Sequence, residues 1–389
     1  MATQILSVDD ELDLEVLLSQ YFRRQIRKGE YEFTFAHNGL EALQKLLETP
    51  DFDIILSDIN MPEMDGLTLL AKINELKNPA MKCIMVSAYG DMENIRSAMN
   101  KGAFDFATKP IDLEDLSHTI EKAIEQVRYI RESQQEHNQL ESIKNDLAIA
   151  GEIQQTILPR LFPPFPDLTK YVDIYASMTP AKDVGGDFYD FFRINDETIG
   201  LVIADVSGKG VPAALFMAVS RTLLRATALR GVPSAECLTY ANKLLCKESL
   251  DSMFVTVFYG IYNYKTGIMD YTNAGHNPPY ILRQNRHIES LPLVSNFIVG
   301  VFDDISFESG HLKLETGDTL VMYTDGVTEA FNEKREQFSE NRLQKVLETL
   351  PENTKTQDII AEILRQVKDF SGNYPQSDDI TLLSLQRTE

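Results

Sequence analysis

Aspartates fall at telling places in this chain, at the ends of short apolar runs. In the first third, Asp9 and Asp10 follow ILSV, Asp58 follows IILS, Ser87 follows CIMV, and Thr108-Lys109-Pro110 closes FDFA. Carboxylates brought together repel one another unless a cation lies between them. Oxygen ligands alone favour a hard ion, Mg2+ or Mn2+. A lysine beside them would steady an incoming phosphoryl oxygen, so the set suits an aspartate that accepts a phosphoryl group. A helix cap at Asp9-Asp10, or a solvated Lys109, explains either feature alone but not the ordered set.

A second set lies further on: VGGDFYD (184–190), ADVSGKG (204–210), YTDGVTEA (323–330) and SDDIT (377–381). Each has a carboxylate at an expected strand–loop junction, and glycine beside it in several lets backbone approach closely. If these carboxylates meet, two hard metal ions about 3.5–4 Å apart would neutralise them and activate water. Taken singly, TDG, GGD and DDIT are common turn sequences. Two nearby side chains have bland readings. Lys182, just before VGGD, is expected to be solvated. His276, in TNAGHNPP, is expected to be a structural hydrogen-bonder in its turn.

The elements that must position these residues differ between the two halves. Over residues 1–125, apolar runs at 4–8, 31–36, 53–57, 82–87 and 104–108 alternate with helical stretches at 12–27, 39–48, 67–78 and 92–101. Alternating β and α predicts a parallel sheet covered on both faces, with functional groups at the carboxyl ends of its strands. Residues 159–389 instead read as strands joined by short turns, at 172–178, 188–194, 199–205, 253–262, 268–273, 279–283, 311–314, 319–323 and 380–385. Paired helices are expected at 212–230 and 234–247, and at 340–350 and 356–370. This predicts antiparallel sheets covered by helices.

Between the halves, 113–158 has no Gly or Pro until Gly151 and is rich in helix formers. Asp112 stands at the N-cap position. The first part has helical apolar spacing, 131–139 is almost wholly polar, and spacing by three and four resumes at Leu140, Ile143, Leu147, Ala150 and Ile157. That is about two heptads of a coiled coil, or one amphipathic helix packing on its own domain. Gly151 would mark a hinge, and Pro159, Pro163, Pro164 and Pro166 end the helix. The expected domains are 1–125, a helical linker at 126–158, and 159–389.

The 389 residues carry a net charge of −22, which argues against nucleic acid as a partner. The hydrophobic share of 43% suits globular domains. Cys83, Cys237 and Cys246 have no metal spacing, which suits a reducing cytoplasm. MATQILSVDD is no signal peptide, and no apolar run is long enough to span a membrane.

On VDDE (8–11), SDINMPEMDGL (57–67), VSAYG (86–90) and GAFDFATKP (102–110), residues 1–125 resemble the receiver domain of bacterial two-component response regulators. The resemblance implies a flavodoxin-like sheet of order 2-1-3-4-5 and phosphorylation of Asp58 by a histidine kinase. It implies Mg2+ held by Asp9, Asp10, Asp58 and the carbonyl of Asn60. Ser87 and Lys109 would contact the phosphoryl group, and Phe106 stands at the family's switch aromatic.

On the four aspartate motifs and the lead-in AGEIQQTILPRLFPP, residues 145–389 resemble the metal-dependent protein phosphatases (PPM, type 2C) of the SpoIIE/RsbU-like branch. This implies an α/β sandwich of two antiparallel sheets, two Mn2+ or Mg2+ ions and a phosphoserine or phosphothreonine protein substrate, usually an anti-sigma-factor antagonist. Asp205 would bridge the metals, with the carbonyl of Val206 as a further ligand. Asp325 and Asp378 would hold one ion, Asp187 would complete the site, and Asp379 could exchange roles with Asp378. Metal-bound water, not a side chain, would be the nucleophile. Larger relatives carry a histidine two residues after the bridging aspartate; Ser207 stands there, which leaves protonation of the leaving group to water. The rival readings are a phosphatase-fold adaptor without activity, against which the intact aspartate set argues, and a DNA-binding regulator, which would need a basic recognition helix. A homodimer through the linker is the expected assembly.

Overall fold

The computed structural model describes residues 2–49, 51–88, 91–248, 253–292, 294 and 296–389; Tyr89 and Gly90 of the VSAYG motif lie outside them. The chain divides into two compact units, Met1–Ile143 and Lys144–Glu389.

In the first unit, β1 (Thr3–Val8), β2 (Tyr31–Ala36), β3 (Ile54–Asp58), β4 (Lys82–Ala88) and β5 (Asp105–Lys109) form a parallel sheet of order β2-β1-β3-β4-β5. The order is the expected one. β3 is buried along its whole length, because helices cover both faces of the sheet. The covering helices are α1 (Leu12–Tyr21), α2 (Arg23–Arg27), α3 (Gly39–Glu48), α4 (Gly66–Glu75), α5 (Met92–Asn100) and the start of α6 (Leu113–Ile157). The single helix expected over 12–27 is broken at Phe22. There the backbone turns to bury the ring, which stacks on Phe33 at 5.5 Å between centroids.

α6 begins where Asp112 accepts hydrogen bonds from the backbone N–H of Glu114 (2.9 Å) and Asp115 (3.3 Å). It continues helically through the polar stretch 131–139, and there Arg131 pairs with the buried Asp53 carboxylate at 2.7 Å. It stops at Ile157, before the prolines.

In the second unit, β7 (Phe188–Arg193), β8 (Thr198–Val206), β9 (Val255–Asn263), β10 (Ile268–Ala274) and β13 (Gly310–Lys313) make one antiparallel sheet. The second, also antiparallel, has order β12-β11-β14-β15-β6. Its strands are β6 (Val172–Thr179), β11 (Tyr280–Leu282), β12 (Ile288–Ser290), β14 (Thr319–Tyr323) and β15 (Ile380–Arg387). The sheets face each other across a core that includes Ile174, Leu201, Ile203, Phe258, Leu320 and Leu383. α7 (Val211–Ala228) and α8 (Ser234–Glu248) cover the first sheet. α10 (Ser339–Thr349) and α11 (Thr356–Ser371) cover the second, and the short α9 (Asp325–Thr328) opens its loop region. Strands covered on both faces lose the alternation of a half-exposed sheet. Hence β14 is buried throughout and β8 nearly so.

Candidate functional site

The parallel sheet delivers its functional groups to one rim. Asp9, Asp10 and Asp58 bring carboxylate oxygens within 4.8 Å of one another. Asp9 and Asp58 are buried and Asp10 is exposed. Lys109, at the end of β5, reaches Asp58 at 2.7 Å, Asp9 at 2.9 Å and Glu11 at 3.0 Å. Burial works against the lysine charge, but the three carboxylates overcome it and hold its pKa above the usual lysine value. Burial raises the Asp9 pKa, opposed by Lys109. Ser87 is fully buried beside the rim, its hydroxyl without a hydrogen-bond partner among the described residues. The backbone N–H of Asn60 donates to Asp58 at 3.3 Å, so the Asn60 peptide is held against that carboxylate. Phe106 is 36% exposed and lies against Met92, Ile95 and Arg96 of α5, on the surface rather than in the core.

In the second unit the four aspartate motifs converge from strand ends on both sheets. Asp187 precedes β7, Asp205 is the last residue but one of β8, Asp325 opens α9 after β14, and Asp378-Asp379 precedes β15. Burial, and then Asp325, Asp378 and Asp379, push the Asp205 carboxyl up to about 7. Burial, and then Asp378 and Glu329, push Asp325 up to about 6. Asp187, 2% exposed, is raised well above the carboxylate range by burial, Asp205 and Asp379. These carboxylates feel one another strongly, the electrostatic signature of a site built for cations. They are spaced more openly than the first set: among the described residues, only Asp9, Asp10 and Asp58 bring three carboxylate oxygens within 4.8 Å.

Their surroundings separate the adjacent pair Asp378 and Asp379. Asp379 is buried, and both its oxygens are already engaged. One accepts from the N–H of Ala181 at 2.8 Å, the other from Gly186 at 2.6 Å and Asp187 at 3.3 Å. Asp378 is half-buried and pairs with Lys209 at 2.8 Å. Thr324 donates to Asp187 at 2.7 Å and accepts from the N–H of Thr381, fixing that carboxylate across both loops. Two glycines permit this density. A Cβ on Gly326 would sit 1.9 Å from the Asp379 carbonyl oxygen, and one on Gly185 would lie 2.5 Å from the Asp379 carboxylate. Ser207 accepts from the N–H of Phe254 and is committed to the loop. His276 is buried beside Thr256, 2.9 Å away, and burial lowers its pKa to about 3. Its turn is tied by Asn273, which accepts from the His276 N–H at 2.8 Å and donates to the His276 carbonyl at 2.9 Å.

The end of α6 is part of this construction. Gln154 donates to the Gly185 carbonyl at 2.5 Å and accepts from the Gly185 N–H at 3.0 Å. Gly151 lies one turn earlier inside an unbroken helix, where a Cβ would stand 2.3 Å from the Asp183 carbonyl oxygen. Its missing side chain is what lets the helix press onto the loop that carries Asp187.

Three residues of this network were not singled out by sequence reasoning. Lys209 and Thr324 stand inside two of the aspartate motifs. Gln154 takes the apolar position between Ala150 and Ile157, and that polar intrusion was the readable signal. Lys182, which was weighed, is exposed.

Comparison with known proteins agrees with this geometry. Residues 5–121 match the response regulator receiver domain, and residues 195–388 match Stage II sporulation protein E (SpoIIE). Phosphoserine phosphatase RsbU of Bacillus subtilis is 32% identical over 282 residues, covering 70% of this chain and 81% of RsbU. The chain belongs to the SpoIIE/RsbU family of phosphatases. Protein IcfG of Synechocystis is 33% identical over 271 residues, 62% of this chain, but the chain spans only 41% of IcfG. The SiaA-PP2C domain of Pseudomonas aeruginosa shares the fold, with a TM-score of 0.54 at 21% identity, over 64% of this chain and 98% of that one. Membership makes the second unit a protein serine/threonine phosphatase domain, here fused to a receiver. Among the described residues, no helix is long and apolar enough to cross a membrane.

Proposed function

We propose that this chain is a response regulator whose output is dephosphorylation of a phosphoserine or phosphothreonine protein, controlled by phosphorylation of Asp58 by a partner histidine kinase. The observation that carries it is the convergence of Asp187, Asp205, Asp325 and Asp378, where burial and neighbouring carboxylates raise the first three. An all-oxygen set of this kind fits hard divalent ions. Asp205, with the Val206 carbonyl, would hold two Mn2+ or Mg2+ ions jointly, with Asp325, Asp378 and Asp187 completing the sites. Asp379, its oxygens engaged by backbone N–H groups, would position the loop instead. When bound, such a pair supplies activated water and neutralises phosphoryl oxygens. The chain's own residues do the positioning: Thr324 orients Asp187, and Lys209 adds positive charge at the mouth beside Asp378. In the receiver, Asp9, Asp10 and Asp58 with the Asn60 carbonyl would hold Mg2+, Ser87 and Lys109 would meet the phosphoryl group, and Phe106 would report the switch.

The substrate is assigned to the anti-sigma-factor antagonist class by the family resemblance, and the protein to the cytoplasm. α6 is the coupling element and a homodimer seam; Leu140 and Ile143, three residues apart on one face, are both more than half exposed on it. Leu140→Asp combined with Ile143→Asp should convert a dimer to a monomer in sedimentation; an unchanged mass rules the seam out. The functional test compares Mn2+-dependent release of phosphate from a phosphoserine protein before and after acetyl phosphate treatment, in wild type, Asp58→Ala and Asp205→Asn. Expected are a treatment effect only where Asp58 is present and loss of hydrolysis in Asp205→Asn. Equal rates throughout would defeat the proposal.

A further inference from the structure

The ions that the carboxylates would hold can recognise only a phosphoryl group, which every phosphoserine protein presents. Choice among such proteins must come from surface beside them. A cavity of about 360 Å³ lies there, between α9, the C-terminal turns of α11 and the loop at 372–377. Its walls include Phe331, Leu364, Val367, Tyr374 and Ile380. Val367 and Ile380 belong to the buried core, while Phe331, Leu364 and Tyr374 are half-buried and turn their remaining surface to the cavity. The Phe331 and Tyr374 rings lie 6.2 Å apart.

The cavity shares a wall with the carboxylate site. Two of its lining residues, Gly326 and Ser377, are the chain neighbours of Asp325 and Asp378. Successive Cα atoms are about 3.8 Å apart, so this wall starts beside the ligand set. Hydrogen bonds tie the two together. Gln376 donates to the carbonyls of Asp378 (2.7 Å) and Thr179 (2.9 Å), and Lys209 donates to the carbonyl of Ser377 at 2.5 Å. The cavity is therefore a fixed neighbour of the reacting centre.

We propose that this cavity is a specificity subsite that receives one large apolar side chain, aromatic or branched, of the substrate protein, within four residues of its phosphoserine. The inference rests on the phosphatase reading and adds a substrate requirement to it. The apolar lining and modest volume suit one side chain rather than a polar ligand. An extended substrate rises about 3.3 Å per residue, so a position two to four residues from the phosphoserine reaches beyond the Asp325–Gly326 and Ser377–Asp378 wall.

The test uses the full chain with Mn2+ and phosphoserine peptides of Ala, Gly and Ser, with one Phe moved from four residues before the phosphoserine to four after. One Phe position should raise kcat/KM by at least about tenfold over the Phe-free peptide. Ser371→Trp, which fills the cavity, and Phe331→Ala, which removes a wall, should each abolish that preference while still hydrolysing the Phe-free peptide. Equal rates on every peptide in wild type, or a preference kept in either folded variant, overturn the subsite. Failure of wild type to release phosphate from any peptide defeats the phosphatase reading, and the subsite with it.

Discussion

Replacing Gln154 by Ala tests whether the end of α6 governs the phosphatase site. Gln154 is 6% exposed, and its amide satisfies both backbone groups of Gly185. Truncation leaves a buried N–H and a buried C=O without partners. Each such group costs about 1–3 kcal/mol, so the loss is roughly 2–6 kcal/mol before any loop relaxation. Relaxation is where function would be touched. The next two residues, Gly186 and Asp187, donate to Asp379, and Asp187 is itself a candidate ligand. If re-ordering this loop on metal binding costs about 1.4–2.8 kcal/mol, affinity falls about ten- to a hundredfold. Calorimetric Mn2+ titration of the full chain measures it directly. Gln154→Glu keeps the acceptor for the Gly185 N–H but loses the donor, and should fall between wild type and Ala. Gly151→Ala should act in the same direction although alanine favours a helix by about 1 kcal/mol, because the added methyl meets the Asp183 carbonyl. Mn2+ affinity within twofold of wild type in a folded Gln154→Ala protein would refute the coupling.

Metal binding should be linked to pH with a defined sign. Asp205 near 7 and Asp325 near 6 lie above the ordinary carboxylate value of 3.8, so without metal the folded chain holds more protons than the unfolded one in that window. The resulting stability is complete below the unfolded value and is lost as pH rises through the folded values. The rise in unfolding temperature on adding Mn2+ should therefore grow from pH 5 to about 7.5, since ions displace protons from these groups; a rise independent of pH would contradict the carboxylate assignment. Asp378→Asn and Asp379→Asn should separate the neighbouring pair. The first should weaken Mn2+ binding with little loss of stability. The second should destabilise the metal-free unit by about 1–3 kcal/mol in thermal unfolding, because an amide cannot accept from all three N–H donors; identical behaviour of the two variants would undo the division of roles.

Much of this architecture was legible because the chemistry sits where local patterns end. Asp58 closes a strand buried along its whole length, and Asp205 lies one residue from the end of one buried nearly throughout. Apolar runs therefore located the strands, and the carboxylates following them located the rims. The parallel sheet of the first unit and the layering of the second then followed from alternating and consecutive strand patterns, while the sheet order came from the resemblance to receivers. The break at Phe22 was hidden, since a helical spacing survives a single turn that serves to bury one ring.

The unread parts are those decided by contacts between distant segments. Lys182 and Lys209 are equivalent as sequence, each a lysine near an aspartate motif. Lys209 reaches Asp378 because the loop after β8 is folded against the one before β15. Asp378 and Asp379 are chain neighbours, yet Ala181, Gly186 and Asp187, nearly two hundred residues earlier, turn one into an internal anchor and leave the other facing the mouth. Gly151 shows the limit most plainly. A glycine inside a helical pattern reads locally as a weak point, and a hinge is the natural expectation. Its partner, the Asp183 carbonyl, lies outside the helix, and against it the absence of a side chain is what allows tight contact. The same residue type thus signals looseness to a reading along the chain and closeness to a reading across it. A helix pressed this closely onto the loop of Asp187 can transmit a displacement that a flexible joint would absorb.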